Sequence, residues 1–199
     1  MRKSDFCLKV NPMTYLVWIV LITLNQTQFL LCSFVCAVLH EAAHISAYMS
    51  YGASIISVEI QPFGFSATVG KGNALPCSAE VFCAASGPLM NLFLSAIFIY
   101  IPETHIKGTE YFIYCNLAFF VLNLIPAVPL DGGRILYFLL LKCLPVSKAL
   151  TYVKYVSLFL TIVILTFGFL LLYNTKSNVS ILLIGIYLLF YIFTSFDSF

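Results

Sequence analysis

The sequence predicts an all-α protein that crosses a membrane about six times. Hydrophobic residues make up 61% of its 199 positions and charged residues only 9%, whereas about a quarter of an average soluble domain is charged. The apolar residues recur in blocks of roughly twenty along the whole chain, and a helix of about that length spans a bilayer. We therefore expect one transmembrane domain over residues 1–199, in contact with lipid.

Six apolar blocks are the predicted spans, and the breaks between them contain proline or short polar runs. They cover residues 13–24, 29–51, 79–101, 111–141, 155–173 and 179–196. The fourth block contains two prolines and two glycines between Asn123 and Arg134. Because these residues interrupt a regular helix, we expect a broken segment there, of the kind that is tolerated at membrane depth where it lines a cavity.

The segment between the second and third spans does not read as a membrane helix. Residues 54–60 and 63–69 are rich in Ile, Val and Phe, and Pro62 and Gly64 supply a break between them. This pattern predicts a β-hairpin-like element. An isolated hairpin is marginal in water, so we expect it to be membrane-associated, lying against the helices. A surface loop is the alternative.

The distribution of Lys and Arg predicts the orientation. With six spans and a cytosolic N-terminus, eight cationic residues fall on the cytosolic side and two on the far side, which obeys the positive-inside rule. The eight are Arg2, Lys3, Lys9, Lys71, Arg134, Lys142, Lys148 and Lys154, and the two are Lys107 and Lys176. Both termini are therefore expected to be cytosolic. A net charge of +2 from so few charged residues also excludes a nucleic-acid-binding surface.

Three ionisable residues lie together inside the second span. Residues 40–44 read His-Glu-Ala-Ala-His, and the i, i+4 spacing places His40 and His44 on one helix face, where both can bind one zinc ion. Glu41 lies beside them, as a base acting on water would. A hydrogen-bonded polar cluster between helices, or a proton relay in a transporter, is the alternative.

A catalytic zinc site usually has a third protein ligand, often a carboxylate. Asp131 is the acidic residue inside the apolar blocks that fits, because it lies in the broken part of the fourth block. It is the expected third ligand. Alternatively, its side chain caps the helix that resumes at Gly132, and the two roles can coexist.

Three motifs together resemble the site-2 protease family of intramembrane zinc metalloproteases. They are the HExxH at 40–44, the sequence Gly87-Pro88-Leu89-Met90-Asn91, and the pattern formed by Asn123, Pro126, Asp131 and Gly132. The resemblance covers about residues 29–142, the expected catalytic core, with additional helices at 13–24, 155–173 and 179–196. The layout is most similar to the sporulation factor IVFB group. Members of that group commonly carry a C-terminal CBS domain, which we do not expect here.

The resemblance implies Zn²⁺ bound by His40, His44 and Asp131, with Glu41 as the catalytic base. It also implies that Asn123 and Asn91 bind the substrate backbone or the oxyanion; a hydrogen bond between helices is the alternative for each.

The implied substrate is a transmembrane protein, cut near the cytosolic face of a bacterial cell membrane so that a cytosolic regulator is released. An unwound substrate segment could pair with a strand edge of the hairpin. A membrane-protein regulator or a homo-oligomer is a further expected partner. Two other classes stay open at this point, a membrane transporter and an inactive protein that binds membrane clients.

Overall fold

The computed structural model describes residues 7–10, 27–53, 55–61, 64–69, 75–101, 108–176 and 179–194. In these ranges the chain forms six helices and three strands. The helices are α1 (Thr27–Ser50), α2 (Cys77–Phe98), α3 (Thr109–Leu124), α4 (Asp131–Leu140), α5 (Val146–Thr175) and α6 (Ser180–Thr194). The strands are β1 (Cys7–Val10), β2 (Ile55–Gln61) and β3 (Gly64–Val69).

Three helices are long and apolar enough to cross a membrane, judged by length and composition within the described ranges. These are α1 from Leu31 onward, α2 and α5, and α6 is a shorter apolar helix. Helices α1 and α2 coincide with the second and third predicted spans. The first predicted span, 13–24, lies outside the described residues.

The fifth span begins earlier than the sequence predicts. Helix α5 starts at Val146 directly after Pro145, whereas the apolar block starts at 155. The first three turns carry Lys148 and Lys154, and hydropathy alone does not detect a helix that continues beyond its apolar part. Proline at the residue before a helix is compatible with this start, because its N–H is not needed there.

The predicted interruption of the fourth block is confirmed. Helix α3 ends at Leu124 and α4 begins at Asp131, so two helices replace one long span. Gly132 lies close to the end of α3: a Cβ there would be 2.4 Å from the carbonyl oxygens of Leu124 and Ile125. A residue with a side chain would push these segments apart.

Two antiparallel strands occupy the segment for which the sequence predicts a hairpin. Strand β2 pairs with β3 from Ile55 opposite Val69 to Gln61 opposite Gly64. The sheet also has a strand that the sequence did not reveal, because β1 pairs in parallel with β2 and gives the order β1-β2-β3. Strand β3 contacts α1.

The chain forms two compact units, Met1–Leu122 and Asn123–Phe199. In the first unit, α1 and α2 pack through small buried side chains, among them Ala47 and Cys83. Small residues allow membrane helices to approach closely. Large apolar side chains such as Leu31 and Phe93 are exposed on the outside of these helices, as expected of surfaces in contact with lipid.

In the second unit, the interrupted segment is attached to α5. Val128 and Val153 form its buried apolar cluster, and the backbone N–H of Val128 donates to the Ser157 hydroxyl at 3.0 Å. Helix α5 also contacts α4 and α6. The hydroxyl thus satisfies a backbone donor that the break in the helix would otherwise leave without a partner.

Candidate metal centre

The Nε2 atoms of two histidines in α1 lie close together. His40 and His44 are buried, and their Nε2 atoms are 3.1 Å apart. Two imidazoles bound to one tetrahedral zinc ion at normal bond lengths have nitrogen atoms about 3.3 Å apart. The observed spacing therefore fits a shared zinc ion with only a small adjustment.

The Nδ1 atom of His44 faces a group that can only accept a hydrogen bond. Its Nδ1 lies 2.7 Å from the backbone carbonyl oxygen of Cys83, so Nδ1 carries the proton and donates it. In a neutral ring this leaves the lone pair on Nε2, where a metal binds. Ser86 lies beside the same nitrogen, at 3.3 Å.

The Nδ1 atom of His40 contacts a buried side-chain amide. Its Nδ1 lies 2.5 Å from Oδ1 of Asn91, which is fully buried in α2, so Nδ1 again donates and Nε2 again has the lone pair. Two such lone pairs at 3.1 Å repel each other unless a cation lies between them. The donor set thus suits a bound metal ion.

Helix α2 leaves space at this point because residue 87 is glycine. A Cβ on Gly87 would lie 2.3 Å from Nε2 of His44 and 2.7 Å from Nε2 of His40. No side chain fits there without moving an imidazole, so the backbone of α2 forms one wall of the site. The ring of Phe119, 6.1 Å from that of His40 between centroids, adds an apolar neighbour from α3.

The other predicted site residues are placed as follows. Glu41 follows His40 on α1 and is partly exposed. In the second unit, Asn123 is the next-to-last residue of α3 and is partly buried. Asp131 is buried at the first position of α4. The helix therefore begins at Asp131 and not at Gly132, and Leu130 stands at the N-cap without a side-chain cap. A carboxylate in the first turn still favours the helix through its dipole.

Sequence reasoning gave no role to two residues of the centre. Gly87 was part of a recognised motif, but its contact with the imidazoles depends on how α2 packs against α1. Asn116 of α3 is fully buried and bonded to Asn91. The signal that could have revealed it is an amide inside an apolar helix, where a polar side chain needs a partner.

Comparisons with known proteins show which proteins this chain resembles. A family model described as "Peptidase family M50" matches residues 102–165, a range that includes Asn123 and Asp131. The fold resembles that of the site-2 protease from Methanocaldococcus jannaschii, with a TM-score of 0.74 at 23% identity over 96% of this chain and 90% of that one. The likeness shows that the two chains share a fold.

Curated relatives agree with the fold. The chain is 29% identical over 150 residues to stage IV sporulation protein FB of Bacillus subtilis, covering 73% of this chain and 52% of that protein. It is 28% identical over 163 residues to zinc metalloprotease MJ0392 of Methanocaldococcus jannaschii, covering 79% and 46%. The chain thus spans about half the length of these relatives. Together these matches support the site-2 protease family, peptidase family M50. These matches give no support to the transporter or inactive-binding alternatives.

Replacing Gly87 should damage the histidine pair. In Gly87→Ala the added methyl group must displace an imidazole, because the three nearest atoms all belong to the rings of His40 and His44. We expect metal affinity to fall about tenfold to a hundredfold, the range seen when the support of metal ligands is lost. Competition between the purified protein and a zinc chelator measures this.

Gly185→Ala is the matched control. A Cβ there would meet mainly the side chain of Leu165, which can rotate. We expect its zinc affinity to equal that of the parent. Parental affinity in Gly87→Ala would mean that α2 can move away from the histidines and that Gly87 is not needed for the site.

Proposed function

We propose that this chain is a zinc metalloprotease that hydrolyses a peptide bond in or near a transmembrane segment of a membrane protein. The observation that carries the proposal is the histidine pair, with two Nε2 atoms 3.1 Å apart and both Nδ1 atoms donating to acceptors on α2. Similarity to the site-2 protease family supports it, as does a relative named a zinc metalloprotease.

His40, His44 and Asp131 are the proposed zinc ligands. Two imidazoles with one carboxylate are a ligand set of catalytic zinc sites, and the Nε2 atoms of the two histidines are already close together, at 3.1 Å. The burial of Asp131 in a chain this apolar supports a charged partner for its carboxylate, since an ionised group is expensive to bury alone.

Glu41 is the proposed general base. Zinc, when bound, supplies Lewis acidity that activates water and polarises the scissile carbonyl. The carboxylate of Glu41 takes the proton of the attacking water and then delivers it to the leaving amine. Its position directly after His40, with a partly exposed side chain, supports this role. Asn123 is proposed to hold the substrate backbone or the oxyanion.

The substrate must be unwound before it can be cut, because the peptide bonds of a transmembrane helix are satisfied internally. Strand β3 lies at an edge of the described sheet and contacts α1, the helix that carries both histidines. We therefore infer that an extended substrate segment pairs with β3. Its edge position supplies the backbone donors and acceptors for such pairing.

The proposed setting is a bacterial cell membrane that the chain crosses six times, with both termini in the cytosol and the released product a cytosolic regulator. The distribution of cations supports this orientation. A membrane-protein regulator or a second copy of the chain is a proposed partner.

Removing the base should abolish cleavage and leave the metal. Glu41→Gln keeps the shape of the side chain but cannot accept a proton, so we expect the cleavage rate to fall about a hundredfold to ten-thousandfold with zinc content unchanged. Co-expression with candidate single-span membrane proteins, followed by detection of the fragment, measures this. Glu110→Gln, at an exposed position in the first turn of α3, is the control and should cut normally. Cleavage by Glu41→Gln at the parental rate would contradict the assignment of the base.

Removing the carboxylate ligand should release the metal. We expect one zinc ion per purified parent chain and a sharp fall in Asp131→Ala, because two histidines alone leave the ion with too few protein ligands. Elemental analysis of both proteins checks this. Full zinc in Asp131→Ala would remove Asp131 from the ligand set.

The two ends of α5 test the orientation. In a cysteine-free background, Lys148→Cys and Asn174→Cys place single thiols at exposed positions near opposite ends of one helix. We expect an impermeant reagent applied from outside the cell to label position 174 and not 148. The reverse labelling pattern would overturn both the orientation and the proposed side of cleavage.

A further inference from the structure

We propose that Asn116 is a positioning residue for the metal centre. It fixes the amide of Asn91, and Asn91 in turn holds the ring of His40 in the form that leaves Nε2 available to a metal. This inference rests on the proposed function, because it concerns the same metal site. The bonds run through three helices, from α3 through α2 to α1.

The direction of each hydrogen bond follows from the last acceptor in the series, the backbone carbonyl of Phe112. The backbone carbonyl of Phe112 can only accept, and it lies 2.9 Å from Nδ2 of Asn116. The oxygen of Asn116 must then face the other way, where it accepts from Nδ2 of Asn91 at 2.8 Å. The oxygen of Asn91 is thereby turned to His40, whose Nδ1 must donate.

Burial makes this arrangement the favoured one. Asn91 and Asn116 are both 0% exposed, so neither amide can exchange a protein partner for bulk water. If both amides rotated by half a turn, two oxygen acceptors would face each other at Phe112, and an amine would face Nδ1 of His40. A buried donor or acceptor without a partner costs about 1–3 kcal/mol. One orientation satisfies every group, and the rotated one does not.

Asn91 alone holds its orientation weakly. Besides Asn116, its Nδ2 has the carbonyl oxygen of Cys36 as an acceptor, but at 3.5 Å, the limit of a hydrogen bond. If Asn91 turned its amine to His40, Nδ1 would have to accept and the proton would move to Nε2. A protonated Nε2 cannot bind a metal.

His44 provides an internal contrast. Its Nδ1 is held by the backbone carbonyl of Cys83, which belongs to helix α2 and cannot rotate as an amide side chain can. The ring form of His44 is therefore fixed by the helix itself, whereas the ring form of His40 depends on two side chains. Loss of Asn116 should affect His40 and leave His44 unchanged.

The experiment compares three variants of the full chain in a His105→Gln background, which leaves His40 and His44 as its histidines. Asn116→Leu removes both bonds of the amide in a similar volume. Asn116→Asp is the conservative variant, because a neutral carboxylic acid has one donor and one acceptor and can repeat both bonds. Cys115→Ala is the packing control: it alters the adjacent buried residue of α3, which contacts Ser33 of α1, without touching the amides.

Two readouts are measured. Nitrogen-15 NMR of labelled histidines in zinc-free protein reports which ring nitrogen carries the proton, and chelator competition reports zinc affinity. We expect Nδ1 to carry a proton at both histidines of the parent. In Asn116→Leu we expect a population of the Nε2–H form at His40 alone and a zinc affinity about tenfold to a hundredfold lower. Asn116→Asp and Cys115→Ala should behave like the parent in both measurements.

The proposal is overturned if His40 keeps the Nδ1–H form in Asn116→Leu, or if Cys115→Ala shifts His40 and zinc affinity as much as Asn116→Leu does. Should Asn116→Leu fail to fold, Asn116→Ala removes the same amide and is judged by the same criteria. A parent that cuts no membrane substrate would refute the proposed function, but the ring forms of the zinc-free protein would still decide the role of Asn116. The two failures are therefore distinguishable.

Discussion

The metal centre depends on the requirement that polar groups buried among apolar helices have partners. The surrounding helices shield them from bulk water, so each imidazole, amide and backbone carbonyl is satisfied mainly by another part of the protein. Around the histidine pair this requirement is met by acceptors on α2, the carbonyl of Cys83 and the amide of Asn91. The same bonds that make the histidines tolerable inside the bundle also direct their lone pairs to one point.

Close packing of α1 and α2 makes these bonds geometrically available. Small residues such as Ala47, Cys83 and Ala84 form the buried faces of the two helices, and Gly87 lies where the imidazoles need space. With larger residues at these positions the helix axes would be farther apart, and the Nδ1 atoms of His40 and His44 would not reach their acceptors. Stability of the helix pair and capacity for metal therefore depend on the same small side chains.

The sequence predicted those parts of the site that depend on local periodicity. His40 and His44 share a face because residues four apart on a helix do so in any protein, and prolines announced the break before Asp131. Asn91 was noted with a hydrogen bond between helices as its alternative role, and the structure shows such a bond to His40. Cys83 and Asn116 could not be predicted, because Cys83 contributes a backbone atom and Asn116 acts through a contact with another helix. Strand β1 was missed for a related reason, since it is four residues long and is defined by parallel pairing with a strand far along the chain. The true start of α5 lay outside the apolar pattern used to find it.

Two tyrosines of α5 bear on the depth at which this helix lies in a membrane. Tyr155 and Tyr173 are both largely exposed and lie eighteen positions apart, which is about 27 Å along a helix. That distance is close to the thickness of the hydrocarbon layer, and tyrosine rings favour the two interfaces of a bilayer. The two rings would therefore oppose movement of the helix along its axis. Sliding the helix along its axis would draw one ring into the acyl chains and push the other into water, so the helix keeps a fixed depth even where the surrounding lipid changes.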